Sequence, residues 1–436
     1  MILMSKRIEV LAGGLVICLF GAAMGFGGTE PLSWAAVQLV AFLLCGLILW
    51  AEEACSRLPW KGPALLLAYV GLQTAVIRPE AYLVREQILR LLVYLCSFYL
   101  AAVVSRDQKS RAFLLRGLLA LGLIEALYGL VQYVSGWQQI FAYKKFFYTS
   151  MATGTYINPN HFAGLLEVIL PLSFASALSW FERLSRNAPH PQGLMSSFFK
   201  GEGAAALIFY LFSTLLLSAG IVFSRSRAGI FSACVSLAAV GLVWLSSTRQ
   251  RPAAALVLLC LLVGTGLFGV WIGLGPVVER YETIREDYLS RLGVWKDSLA
   301  LIRAHPLWGS GLGSFANVYT RVQSVLLTGR VDHAHNDYLE MATEWGLAGA
   351  GLLIGLILLV LFRAASACFR RSHPNQRFLA LGSCGGILAL LLHSVTDFNL
   401  QIPANALVFA SILGLAHSAS VSSTRGTMEE KQISAA

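Results

Sequence analysis

Runs of roughly twenty apolar residues, separated by short polar stretches, recur from one end of this chain to the other. At 1.5 Å per residue, such a run crosses the roughly 30 Å hydrocarbon core of a bilayer as a helix. Lipid offers no partner to a backbone amide, so each run must satisfy its own hydrogen bonds and be helical. Barrel strands would alternate polar and apolar positions, and these runs do not. The pattern predicts twelve spans, at 8–26, 32–51, 62–77, 88–105, 112–135, 161–181, 204–223, 228–248, 252–274, 346–363, 378–396 and 403–418. Span 62–77 is the shortest. The opening stretch, Met1 to Arg7 followed by apolar residues to Gly27, reads as the first span rather than a cleaved signal, because further spans follow and no clear Ala-x-Ala site is present.

Composition agrees. Of 436 residues 56% are hydrophobic and 13% charged, where a soluble domain carries about a quarter charged. A net charge of +10 would suggest nucleic acid in a soluble protein. Here the positive charge sorts by loop, as membrane topology requires, and no nucleic-acid partner is expected. With the N-terminus placed in the cytoplasm, cytoplasmic segments hold eighteen Lys and Arg, against seven in the short outer segments. Both termini are therefore expected inside, which an even number of spans also demands. Six of the eight cysteines fall in apolar runs, and Cys55 and Cys368 in segments placed inside. No disulfide and no cysteine metal site is expected.

Two outer segments are long. Residues 136–160 are aromatic and polar, and 275–345 runs for some seventy residues. Segments of that length in a compact protein are usually functional or disordered, and this one is not low-complexity. Val277, Tyr281, Ile284, Tyr288, Leu292, Trp295, Leu299 and Ile302 recur in steps of three and four. They predict an amphipathic helix on the bilayer surface or roofing the bundle.

Four polar motifs lie at one side of this topology. The strongest is Asp332-His333-Ala334-His335-Asn336-Asp337-Tyr338-Leu339-Glu340. With Asp332 as N-cap of a helix running into span 346–363, His335, Ala342, Gly346 and Gly349 would share one face. His333, Asp337, Glu340 and Glu344 would share a neighbouring one. His333 would then point away from His335. A histidine at the membrane surface suits base chemistry near neutral pH; the plainer reading is a solvated helix cap. His333, His335 and Asp337 as metal ligands fit poorly, because His-x-His does not repeat at helical spacing. The second motif, Ser224-Arg225-Ser226-Arg227, puts two arginines in a very short outer loop. They could fork onto a lipid-linked phosphate or snorkel to headgroups. The third, Arg291, Trp295 and Arg303 ahead of Pro306-Leu307-Trp308-Gly309-Ser310-Gly311-Leu312-Gly313, reads as a flexible turn rather than a nucleotide loop, since no strand precedes it. In the fourth, His393 and Asp397 lie one turn apart between the last two spans, where Asp397 either serves function or ends a helix. Asn158-Pro159-Asn160-His161 opens another span as a cap or part of a cleft. Glu125 and Glu167 fall inside spans, either facing substrate or pairing within the bundle.

The order His335-Asn336, nine residues, Gly346, two residues, Gly349 resembles the signature of the O-antigen ligase and polymerase family. Ser226-Arg227 resembles the Ser-Arg that opens the family's core region. Arg291, Trp295, Pro306-Leu307, Gly309, Gly311-Leu312-Gly313 and Phe315 resemble the stretch that follows. The specific likeness covers about 224–350; His393 to Ala406 looks more like segments of polymerase-like and protein-glycosylating members than of ligases. The resemblance implies an all-α, GT-C-like polytopic glycosyltransferase, metal-independent and inverting, with no cofactor. Its donor would be a glycan on undecaprenyl diphosphate and its acceptor a hydroxyl of lipid A-core, a growing glycan or a protein. His335 would be the catalytic base. Arg225, Arg227 and Arg291 would hold the diphosphate. Asn336, Glu340, His333 and Asp397 would assist the acceptor or its base. The expected setting is the bacterial inner membrane with the active face periplasmic. The expected divisions are an N-terminal bundle 1–223, a ligase-like core 224–363 containing segment 275–345, C-terminal helices 364–418 and a tail 419–436. A transporter or flippase is the alternative of another class, but no internal repeat accompanies the spans.

Overall fold

In the computed structural model the described residues are 2–49, 58–187, 202–247, 281–324, 330–369 and 374–435. They form an all-α polytopic membrane protein. The helices, in order, are α1 Ile2–Met24, α2 Pro31–Leu49, α3 Lys61–Ile77, α4 Ala81–Val104, α5 Gln108–Ser135, α6 Pro159–Asn187, α7 Glu202–Phe223, α8 Arg227–Ser247, α9 Tyr281–Ala304, α10 Phe315–Tyr319, α11 Asp337–Cys368, α12 Pro374–His393 and α13 Pro403–Ala435. A two-residue hairpin pairs Gln139–Ile140 with Tyr143–Lys144. Among the described residues, ten helices are long and apolar enough to cross a membrane, and α3 is a shorter apolar one. The expected span 252–274 lies outside the described residues, as do Cys55, Cys260 and Val277.

Local chemistry sets the helix ends. Asp107 caps α5 by accepting the Ser110 amide at 2.8 Å, and Gly136 ends that helix in the left-handed conformation. Helices α6 and α13 are the most enclosed spans and α11 the least, so α11 faces lipid over most of its length. Small residues bring α12 against α6. A Cβ on Gly385 would sit 2.6 Å from Pro171, and one on Gly386 2.5 Å from the Val168 carbonyl, so only glycine permits this approach. The expected amphipathic helix in the long outer segment is present as α9, which packs against α11.

Two features differ from the sequence reading. The helix carrying the His-Asn motif begins at Asp337, with Asn336 as its N-cap, not Asp332. It also breaks at Gly346 (φ 67°, ψ 171°), a backbone region open essentially to glycine alone. The Pro306–Gly313 stretch fills the break. Ser310 and Gly311 amides donate to the Thr343 and Glu344 carbonyls at 2.8 and 3.0 Å, and the Leu347 amide donates to the Pro306 carbonyl at 2.8 Å. The groups orphaned at a helix end and a helix start are thereby satisfied. The glycine turn expected there exists, with positive φ at Gly309, Gly311 and Gly313, but it is a wedge locked into α11 rather than a flexible loop.

Candidate active site

The polar motifs meet at one end of the bundle, where α6, α8, α11 and α13 begin and α12 ends. Two loops build the centre, one carrying His333 to Asn336 and the other Ser394 to Ile402. The start of α11 clips them together: the Asp337 amide donates to the Ser394 and Asp397 carbonyls at 2.9 and 3.1 Å. The Asp337 carboxylate accepts the Leu400 amide at 3.1 Å.

Asn336 explains why the histidines sit off the helix. Its side chain accepts the Leu339 amide at 3.0 Å, which requires extended backbone at position 336 and leaves His335 to turn the chain at φ 50°. His335 therefore does not share a helical face with Ala342, Gly346 and Gly349. Nor does His333 point to the far side of a helix. Both rings meet Phe398: His333 stacks at 4.2 Å, and His335 and His161 approach edge-on at 4.9 and 4.7 Å.

Asp397 lies beneath these rings, 1% exposed. Its carboxylate accepts from the Asn160 side-chain amide at 2.6 Å and its neighbour Phe398 N at 2.9 Å. It faces His335 Nδ1 at 3.7 Å and His161 Nε2 at 3.8 Å. Burial pushes the Asp397 carboxyl upward, but the His161 and His335 side chains outweigh it and hold the group well below the usual carboxylate range. His335 Nδ1 is buried and makes no hydrogen bond among the described residues, with the carboxylate at ion-pair distance from it.

His333 is engaged differently. Its Nδ1 lies 2.8 Å from Glu340 Oε1, while Glu340 Oε2 accepts the Ala334 amide at 2.8 Å. Burial disfavours charge on His333, but the Glu340 carboxylate, joined by Glu344 and Asp337, raises its pKa above the ordinary value. One face of α9 braces both loops. Arg291 donates to the Thr396 carbonyl at 2.6 Å, and Trp295 Nε1, one turn on, donates to the Ala334 carbonyl at 3.1 Å. Arg291 thus reaches the centre with one guanidinium nitrogen committed to backbone.

The two Ser-Arg arginines lie at the same end of the bundle but are not joined to His335 by a hydrogen bond or ion pair among the described residues. Ser226 caps α8 by accepting the Gly229 amide at 3.2 Å, and Arg227 is the first, exposed residue of that helix. Arg225 adopts φ 59° and lies over the Tyr133 ring at 5.8 Å. A Cβ on Gly229 would meet Ala163 at 2.7 Å, two residues beyond His161, so this loop borders the histidine cluster.

Several groups escaped sequence reasoning or were left open by it. Phe398 gave no signal beyond following Asp397. Asn160 and His161 were visible as an Asn-Pro-Asn-His opening, but their pairing with Asp397 spans more than two hundred residues. Glu167 and His393 pair inside the bundle at 3.0 Å, so the side chain of His393 hydrogen-bonds to α6. Glu125 holds the outer segment, accepting both the amide and hydroxyl of Thr155 at 2.9 and 2.6 Å. Lys145 is buried, donating to the Met151 carbonyl at 3.2 Å; burial pushes its ammonium down to about 8. No three His, Cys, Asp or Glu side chains group as metal ligands among the described residues. Residues 212–354, about a third of the chain, match the family model described as O-Antigen ligase. No curated protein matches the chain.

Proposed function

We propose that this multi-span membrane chain, whose residues 212–354 match the family model described as O-Antigen ligase, is a metal-independent, inverting glycosyltransferase. Its donor is a glycan on undecaprenyl diphosphate. Its acceptor is a hydroxyl of lipid A-core, and the active face is periplasmic, with both termini in the cytoplasm of a bacterium's inner membrane. The observation that carries this reading is His335, open to the surface, with its Nδ1 over the buried Asp397 carboxylate at 3.7 Å.

In the proposed reaction the other ring nitrogen of His335 takes the proton of the acceptor hydroxyl. The oxygen attacks the anomeric carbon opposite the diphosphate. The new glycosidic bond forms as the bond from that carbon to the diphosphate oxygen breaks, which inverts configuration. The electron pair leaves with undecaprenyl diphosphate, and Arg227, Arg225 and Arg291 receive the growing charge. Asp397 stabilises the imidazolium and fixes the ring, while His333, held by Glu340, shapes the site beside it. Asn336 caps the helix that positions both.

A polymerase or protein-glycosylating reaction, with the same donor and a growing glycan or a Ser/Thr as acceptor, is the second reading. It is favoured by the 393–406 segment, whose Asn399 and Asn405 join with Tyr156 beneath the histidines at 2.9 and 3.0 Å. The test uses purified undecaprenyl-diphosphate glycan and candidate acceptors, with chelator present. His335→Ala should nearly abolish transfer, since a general base contributes about 10²–10⁴-fold, while His333→Ala keeps more of it. Full activity in His335→Ala, or loss of activity on chelation, removes the mechanism.

A further inference from the structure

Away from the histidine cluster, a cleft of about 520 Å³ runs between α3, α4, α11 and α13. Its near end touches Met341 and Leu400, just below the site, and its far end reaches Lys61 and Arg363. From the break at Gly346 to Arg363 α11 runs seventeen residues, about 26 Å of helix, which is most of the hydrocarbon thickness. The walls are largely Leu, Ile, Val and Phe.

The two ends differ in charge. Arg90, which also lines the cleft, lies nine residues into α4 toward the near end and is paired with Glu86. The carboxylate lining the cleft, Glu344, is at the near end, where it accepts the Phe315 amide at 3.0 Å. The far end gathers Lys61, Arg363 and His417 with no lining carboxylate. Lys61 is the first residue of the seventeen-residue helix α3, whose exposed amides and dipole add positive potential at that point. Gly62 packs directly against Leu356 of α11. Arg363 is seven residues on, two turns along the same face, so the two cations bracket one end of the apolar trough. Trp60, exposed and adjacent, has the amphipathic ring that favours the headgroup level.

We infer that this cleft is a binding site for a phospholipid with an anionic headgroup, drawn from the leaflet opposite the histidine cluster. The headgroup phosphate sits between Lys61 and Arg363, and an acyl chain lies along Leu356 and Val360. One leaflet is about 15 Å deep, ten residues of helix, so the chain reaches the level of Leu353 and fills the far half of the cleft. Charge complementarity selects the occupant: an apolar tail entering from the near end would leave the cations at the far end unmatched, and a zwitterionic headgroup would match them weakly. The inference is independent of the glycan-transfer reading.

The test is native mass spectrometry of the full-length protein in detergent, offered phosphatidylglycerol or phosphatidylcholine with the same acyl chains. The wild type should retain one phosphatidylglycerol at least tenfold over phosphatidylcholine. Lys61→Gln with Arg363→Gln should bring retention to the phosphatidylcholine level, Arg363→Lys should preserve it, and Val360→Trp should exclude both lipids. Equal retention of the two lipids by the wild type, or undiminished phosphatidylglycerol on the double variant, overturns the assignment. If the double variant does not fold, salt decides with the wild type alone. Preference for phosphatidylglycerol must fall steeply as ionic strength rises from about 0.05 to 1 M, and a salt-independent preference refutes the headgroup contact.

Discussion

Replacing Asp397 with Asn isolates the charge beneath the histidines from the shape of the site. The amide is nearly isosteric with the carboxylate, so the loop from Ser394 to Ile402 keeps its packing. What is lost is a negative charge 3.7 Å from His335 Nδ1. Two unit charges about 4 Å apart interact by about 4 kcal/mol at an effective dielectric of 20, the value suited to a site at a membrane surface. That energy counts only when the imidazole is protonated, which is when the acceptor proton has moved. It therefore lowers kcat rather than raising KM. About 4 kcal/mol corresponds to roughly 10³ in rate, and the contribution of the base itself, about 10²–10⁴, sets the ceiling. Asp397→Asn should lower kcat by about 10²–10³ with KM changed less than about threefold. The assay is transfer from purified lipid-linked glycan under saturating acceptor, with monodispersity and melting temperature as folding controls. A folded Asp397→Asn protein within threefold of wild-type kcat would refute the role given to the carboxylate.

Other outcomes follow from the same geometry. Gly346→Ala places a Cβ 2.2 Å from the Leu307 carbonyl oxygen at a backbone setting that alone costs about 1–3 kcal/mol, so the melting temperature should fall clearly; an unchanged melt contradicts the locked wedge. His333 has a raised folded pKa. Its pairing with Glu340 therefore stabilises the loop fully below about pH 6.5, the ordinary histidine value, and fades as pH rises through the folded value. Amide exchange across 330–336, corrected for intrinsic base catalysis, should quicken as pH rises above about 6.5, more than in Glu340→Gln. Lys145 runs the other way, because its folded pKa, about 8, lies below the ordinary value of 10.5. Stability of the 139–156 segment should rise with pH from about 8 toward 10.5, and Lys145→Met should erase that slope in a thermal-shift series. Arg227→Lys should weaken donor use by about tenfold, since an ammonium lacks the guanidinium fork; unchanged donor kinetics would remove Arg227 from the diphosphate site.

The spans were legible because lipid imposes one requirement, a twenty-residue apolar helix, that a single sequence displays openly. Helix α9 was legible for a related reason, its steps of three and four. The site was legible in its residue types and not in its arrangement. His335, Asn336, Glu340, Arg291 and Asp397 do come together, but the sequence reading put His335 on a helix that the Asn336 cap in fact starts two residues later. Asp332 and Asn336 are both good caps, and nothing local chooses between them. The choice is tertiary: beginning at Asp337 lets that amide reach the carbonyls of Ser394 and Asp397. Glu167 and His393 were hidden for the same reason, since partners 226 residues apart leave no periodic trace.

The first section of α11 explains why so many buried acids surround one proposed base. Asp337, Glu340 and Glu344 follow one another at steps of three and four and share a face, as the sequence spacing predicts. Each accepts an amide from a different loop: Asp337 from Leu400, Glu340 from Ala334 and Glu344 from Phe315. A carboxyl oxygen accepts such a bond in either protonation state, and Asp337 and Glu340 lie in the first turn of the helix. The break at Gly346 then confines this acid-bearing section to the membrane face and lets it take an angle different from the lipid-facing remainder. Three loops distant in sequence are thereby tied to one short helix. The loop between them that carries His335 is fixed on one side by Glu340 and on the other by Trp295, which leaves the imidazole itself as the group free to meet a substrate.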